Sequence, residues 1–318
     1  MRVELRPSTF SDDVELRDVL NLIHCFTSGR HDWVALDPSV IDIAEDYLQQ
    51  YLPKAAASCA ELAQKGTVAA TWAAGSIAVP SISVEESNLA DSVHDLCRPA
   101  IFVVENENSD PVFVEAVCRA FDDKRILDAL EHGWMEYAHG GGSTIESVAR
   151  SEARRFRAHV RVAALLDSDS QHRTHRTENH VKGARLAELG VAVHVLTLRE
   201  VENYIPNKVL AATGNRGKWS ESSKRMTSLK ALPLERRGYF DMKRGYVESD
   251  PSKPQQAQQA WAADLDTKIL KDLCGGFGGN VLLELRKFPN LSIRDFESTG
   301  EDVRVEIRQF LTTINSVI

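Results

Sequence analysis
The sequence predicts an α/β protein: a parallel sheet flanked by helices (98–206), behind a mainly helical N-terminal region (1–97) and ahead of a basic loop and helical C-terminal extension (207–318). Three observations lead there. Between residues 98 and 206, four short apolar runs alternate with segments whose apolar residues recur at helical spacing, the pattern of right-handed βαβ units. Three of the four runs end in acidic residues and the other in glycines, which suits the edge of a parallel sheet where all strand C-termini meet. Upstream of residue 98, helical periodicity dominates instead.

In chain order, residues 12–26 carry apolar side chains at helical spacing, and residues 38–51 do so after a proline start. The Ala-rich stretch KAAASCAELAQKGTVAATWAAG predicts a helix broken at Gly66. No chemical motif occurs in this region, so its expected role is packing or partner binding. CRPAIFVVEN is the first strand of the sheet. DPVFVEAVCRAF is a helix with Val112, Val114, Val117 and Phe121 close to one face. WMEYAHGGG is a second strand that stops in glycines. STIESVARSEARRFRAH predicts a helix opened by a capping box between Ser143 and Glu146. HVRVAALLD is the third strand, HVKGARLAELG a helix ended by Gly190, and VAVHVLTL the fourth strand.

Beyond Pro206 come the basic, polar segments NKVLAATGNRGKWSESSKRM and RRGYFDMKRGYV, then SDPSKPQQAQQA, a mobile loop by composition. TKILKDLCGGFGGNVLLELRKF and EDVRVEIRQFLTTINSV predict two helices and a Gly-rich turn. Neither glycine-containing stretch is a nucleotide site. ATGNRGKWS has Ala212 where a P-loop needs its first glycine and Trp219 in place of Ser/Thr, and GGFGGN lacks dinucleotide-fold spacing.

The stretch RVAALLDSDSQH places Asp167 and Asp169 together at the end of a buried strand. Such carboxylates repel, and either solvent or a shared divalent cation relieves them. Taken alone, D-x-D after an apolar run is more often a surface turn. Convergence shifts the balance: the strand order brings Glu105, Asp167, Asp169, Glu200 and Glu202 to one sheet edge. The turn Gly140, Gly141, Gly142, Ser143 joins them. Its glycines admit a close backbone approach, and the helix behind it offers free N–H groups to an anion. Carboxylate oxygens suit Mg²⁺ or Mn²⁺.

The net charge of −8 argues against a purely electrostatic nucleic-acid binder. Residues 150–185 nevertheless hold nine basic residues against four acids, a field suited to a polyanion held over a metal. Arg154, Arg155, Arg157 and Arg173 are the candidate substrate contacts there, and a solvated helix face is the plain alternative. His172, His175 and His180 fit solvent exposure or phosphate contact better than zinc. Five widely spaced cysteines without a C-x-x-C predict reduced thiols in a cytoplasmic protein. No apolar run is long enough to span a bilayer, and the polar N-terminus has no signal-peptide core.

The ordered pieces VVENENSD, HGGGS and LLDSDS resemble the toprim domain of topoisomerases, bacterial primases, recombination mediators and OLD-family (overcoming lysogenization defect) nucleases. LREVENYIP, YFDMKRGYV and CGGFGGN are similar to pieces of the OLD branch and its stand-alone relatives, so the resemblance runs from about residue 98 to the end. It implies a toprim-like fold and a Mg²⁺- or Mn²⁺-dependent nuclease. Glu105, Asp167, Asp169 and Lys243 would be catalytic, with Glu105, Asp110, Asp167, Asp169 and Glu202 as metal ligands. Two positions depart from the family pattern: Asn106 stands where glycine is usual, and Ser109 where the next acid is usual. Asp110, one residue later, then competes with Glu107 for the second-metal role. No Walker motif occurs, so the ATPase half of OLD proteins is absent. The implied partners are DNA or RNA and a separate ATPase or sensor protein, the implied setting is anti-phage defence, and a homo-oligomer is left open. A non-catalytic toprim module that binds nucleic acid or a partner is the alternative. A D-x-D glycosyltransferase is a third reading, although it would need neither Glu105 nor the E-N-Y piece.

Overall fold
The computed structural model describes residues 1–72, 81–213, 221–247, 261–262, 264–300 and 302–318. In the N-terminal region, β1 (Arg2–Leu5), β2 (Asp32–Val34) and β3 (Ser81–Val84) pair in parallel in the order β2-β1-β3. Helices α1 (Leu16–Thr27), α2 (Ser39–Tyr51), α3 (Ala56–Trp72) and α4 (Leu89–Leu96) accompany this sheet. Val3, Leu5, Leu22, Phe26, Trp33 and Leu48 belong to its own buried core. The region is therefore a small α/β unit. Gly66 does not break a helix. α3 runs through it, and the missing side chain lets the helix lie on β2, because a Cβ there would stand 2.0 Å from the Trp33 carbonyl oxygen.

The second sheet is formed by β4 (Ala100–Val104), β5 (Met135–His139), β6 (Val162–Leu166) and β7 (Ala192–Val195), all parallel, in the order β5-β4-β6-β7. The chain steps from β4 outward to β5 and then back across to β6. That reversal opens a crevice between the C-terminal ends of β4 and β6, where ligands bind in sheets of this kind. Side chains alternate across the sheet. Phe102, Val104, Ala163 and Leu165 share a core with Phe113 and Val117 of α5 (Asp110–Phe121) and with Phe296, Phe310 and Ile314. Ile101, Val103, Val162, Ala164 and Leu166 pack instead with Ile145 and Ala149 of α7 (Ile145–Ala153) and Leu186 of α8 (Glu178–Ala187). Both faces are thus covered, as a parallel sheet requires.

Several boundaries differ from expectation for identifiable reasons. α6 (Lys124–Glu131) was not anticipated; it starts at Asp123, whose carboxylate accepts from Ile126 N at 3.3 Å. α7 is shorter than the STIESVARSEARRFRAH pattern at both ends. A single 3₁₀ turn, Gly142–Thr144, precedes it, and the Ser143–Glu146 capping box does not form. Glu146 pairs with Arg150 at 3.1 Å and Arg185 at 2.9 Å instead. At the far end, the backbone N–H groups of Arg157, Ala158 and His159 turn to the buried Asp95 carboxylate at 2.7–3.0 Å. α8 begins at a real capping box between Thr177 and His180.

The C-terminal extension contributes a helix, Val303–Asn315, to the first of these cores. It also supplies a clamp. Phe277 N donates to Met242 O at 2.7 Å and Gly278 N to Lys243 O at 3.2 Å. Gly245 has φ +75°, and a Cβ on it would lie 2.2 Å from Gly276 N. The glycines of CGGFGG therefore serve close backbone packing against the Lys243 segment. The expected loop at 249–260 and most of the P-loop look-alike (214–220) lie outside the described residues. Among the described residues, no helix is long and apolar enough to cross a membrane.

Candidate metal centre
Glu105 directly follows β4 and Asp167 directly follows β6, so they flank the crevice from adjacent strands. Beyond β7 the chain enters a 3₁₀ turn, Val201–Tyr204, bounded by a capping box between Glu200 and Asn203. Val201 N in that turn donates to Asp167 Oδ1 at 3.0 Å, which ties the β6 and β7 ends together. Asp167, Glu200 and Glu202 each offer a carboxylate oxygen, and these oxygens lie within 4.8 Å of one another. All three side chains are buried.

The segment held by the glycine clamp completes the group. Met242 N donates to Glu200 Oε1 at 2.8 Å. Lys243 Nζ stands 3.1 Å from Glu202 Oε1 and 3.6 Å from Glu200 Oε2. The other oxygen of Glu202, Oε2, is buried without a hydrogen-bond partner. A cleft of about 340 Å³ opens beside the group, lined by Glu105, the 106–110 loop, His139, Asp167, Glu202 and Lys243.

Electrostatics follow from burial and crowding. Burial, then the Glu202 and Glu105 charges, push the Asp167 carboxyl well above its ordinary range. Burial and Glu200 push Glu202 up to about 7 despite Lys243. Glu105 is raised by burial and by Asp169, and Glu200 by burial. Lys243 moves upward too, because the pull of Glu202, Glu200 and Asp167 outweighs its own burial. One ammonium does not neutralise this set of carboxylates.

The remaining sequence candidates fall into different places. Asp169 is exposed and left-handed at φ +52°. Its Oδ2 accepts from Asn179 Nδ2 at 3.0 Å, and it stands outside the Asp167–Glu200–Glu202 group, while its charge still reaches Glu105. Asp110 lines the cleft, but its oxygens accept from Asn106 N at 2.9 Å and Ser109 Oγ at 3.3 Å, so it braces the loop. Glu107 lines the same cleft and is exposed.

Gly140 donates its N–H to Val104 O at 2.9 Å, and a Cβ on it would lie 2.7 Å from Ile145 Cα. A Cβ on Gly141 would meet the His139 ring at 3.0 Å. These two glycines thus have packing reasons of their own, while Gly142 and Ser143 form the 3₁₀ turn.

The arginines are not gathered at the acids. α7 runs from the C-terminal end of β5 to the N-terminal end of β6, so Arg154, Arg155 and Arg157 follow it at the opposite sheet edge. Arg155 pairs with Glu152, and Arg157 with Asp91 at 3.2 Å. Arg173 pairs with Asp302 at 3.6 Å, both exposed. Arg161 is wholly buried against backbone carbonyls. The basic run is therefore dispersed and largely paired. Sequence reasoning placed Glu200 at this edge but gave it no role. His139 likewise has a place in the HGGGS turn but no role there, and Asn179 carries no sequence signal. No protein-family model, curated protein or solved structure matches the chain.

Proposed function
We propose that the chain is a Mg²⁺- or Mn²⁺-dependent nuclease that hydrolyses phosphodiester bonds of DNA or RNA at a toprim-like site. The convergence of Asp167, Glu200 and Glu202 beside Glu105, at the strand-order reversal of a parallel sheet, carries this reading. The donor set is all carboxylate oxygen, which fits a hard divalent ion. The buried, unpartnered Glu202 Oε2 fits it as well, since such an oxygen is costly without a partner. Asp167, Glu200, Glu202 and Glu105 are the residues that would hold the ion, with Asp169 and Asp110 or Glu107 at its margin. Once bound, it would supply Lewis acidity and a water acidic enough to attack at neutral pH.

The chain's own groups have separate tasks. Lys243 lies on the cleft wall, where its ammonium offsets charge that grows on a phosphate during displacement. Met242 N and Val201 N hold Glu200 and Asp167 in place. The likeness of the motif series to stand-alone OLD-type nucleases supports a cytoplasmic role in anti-phage defence, served by a separate ATPase or sensor.

The test is incubation with supercoiled plasmid, single-stranded DNA and tRNA in Mg²⁺, Mn²⁺ or EDTA. Cleavage that requires the cation and disappears in Asp167→Asn is expected. Binding without cleavage under every condition would sink the nuclease reading in favour of a non-catalytic module.

A further inference from the structure
We propose that Cys25 and Cys97 form a redox-modification site, in which hydrogen peroxide oxidises one sulfur and the pair closes into a disulfide. The two sulfurs stand 3.4 Å apart although the residues are 72 positions apart in the chain. Cys25 is buried on α1, and Cys97 ends α4 and is half-buried, so a small oxidant has access from the Cys97 side. Neither residue touches the acidic cleft, and the proposal is independent of the nuclease reading.

Two guanidinium groups surround the pair. Arg30 Nη1 donates to Cys97 O at 2.9 Å, and Arg30 Nη2 donates to Arg98 O. Arg161 Nη1 donates to Leu96 O at 3.1 Å and Arg98 O at 2.7 Å. Each guanidinium also keeps one buried N–H without an acceptor, on Arg30 Nε and Arg161 Nη2. Buried cations with spare donors favour neighbouring anions; the Asp95 carboxylate is one that acts on Arg161, and a Cys25 thiolate would be another. The hydrogen bond from Cys97, and beyond it the Arg30 and Arg161 charges, hold the Cys25 thiol down at about 7 against burial. Either sulfur can donate in that bond; with Cys25 as the thiolate, Cys97 is the donor and keeps its proton. This division matches an attacking thiolate beside a resolving thiol.

The chemistry balances. The Cys25 thiolate attacks one peroxide oxygen, the O–O bond breaks, and the leaving hydroxide takes up the proton that Cys25 released. Cys97 then attacks the sulfenic sulfur, the S–S bond forms, and the S–O bond breaks. The departing oxygen leaves as water with the Cys97 proton. Two electrons pass from the sulfurs to the peroxide, and two waters result. The product ties α1 to the segment that leads into β4.

The test treats the full chain with stoichiometric hydrogen peroxide, blocks free thiols with iodoacetamide, and maps the peptides by mass spectrometry. A Cys25–Cys97 cross-link that dithiothreitol reverses is expected. It should be accompanied by a rise in Tm of roughly 5 °C, since the bond closes a long loop. Cys25→Ser and Cys97→Ser should each lose both the cross-link and the rise. The mapping on the unsubstituted chain decides the matter even if a variant folds poorly. Oxidation of exposed Cys274 with Cys25 and Cys97 both still alkylated would overturn the proposal, as would sulfinic acid on Cys25 without a cross-link.

Discussion

Glu202→Gln should make the metal-free protein more stable at pH 8 and leave it nearly unchanged at pH 5. In the folded chain, burial and Glu200 raise the Glu202 carboxyl from its ordinary 4.5 to about 7. A raised carboxyl favours the neutral form on folding. Its contribution is therefore fully present below about pH 4.5 and is lost as pH rises through about 7. That displacement corresponds to roughly 3 kcal/mol of ionisation penalty at pH 8. Gln removes the penalty but also loses the 3.1 Å contact with Lys243, so the net gain should be roughly 1–3 kcal/mol, or about 2–5 °C in Tm. At pH 5, wild-type Glu202 is already neutral in the folded state, and the difference should stay within about 1 kcal/mol. Thermal melting in EDTA at both pH values reads this directly. Repeating it with Mn²⁺ should stabilise the wild type more than the variant. A variant equally destabilised at both pH values, or stabilised by Mn²⁺ as much as the wild type, would refute the reasoning.

Three further outcomes are expected. Lys243→Ala should bind nucleic acid nearly as well as wild type but cleave at least roughly tenfold more slowly in single turnover, with Lys243→Arg recovering only part of the loss; normal cleavage at saturation would make Lys243 a docking residue. Gly245→Ala should cost more than about 3 kcal/mol in denaturant unfolding, because its Cβ would lie 2.2 Å from Gly276 N and 2.3 Å from Leu273 O at a left-handed position; a change under about 1 kcal/mol would mean the clamp yields easily. Replacing Arg154, Arg155 and Arg157 together with Gln should leave the salt dependence of nucleic-acid binding unchanged, since they lie at the edge away from the acids; a flatter slope would bring substrate to that edge.

Three strand ends were legible because the apolar run stops where its acid or glycine begins, and β4, β5 and β6 follow those stops closely, whereas β7 ends at Val195, five residues before Glu200. DPVFVEAVCRAF coincides with α5 because its first-turn proline and its periodicity agree. What eluded sequence reading was tertiary. The end of α7 depends on Asp95, which lies 62 residues away from Arg157. The basic run looked like a field because its partners, Asp91, Asp302 and the carbonyls around Arg161, come from distant segments. Glu200 has a visible place but no visible role, since its partner Met242 is 42 residues downstream. Asp169 shows the reverse case: two residues from Asp167 in sequence, it lies outside the Asp167–Glu200–Glu202 group with a left-handed backbone and an Asn179 hydrogen bond, although its charge still reaches Glu105.

The core shared between Phe102 and Leu165 of the sheet and Phe296, Phe310 and Ile314 of the C-terminal part has a temporal consequence. A chain emerging from the ribosome presents its carboxylates first. When residue 206 has been made, the acids at the ends of β4, β6 and β7 exist without Lys243, without the glycine clamp, and with one face of the sheet covered only by α5 and α6. The rest of the cover comes with Phe296 and the helix Val303–Asn315. Folding as a unit therefore waits for nearly the whole chain. A chain truncated before Lys243 and this helix holds the acids but lacks the ammonium and the packing that position them, so the activity proposed above would be absent from it.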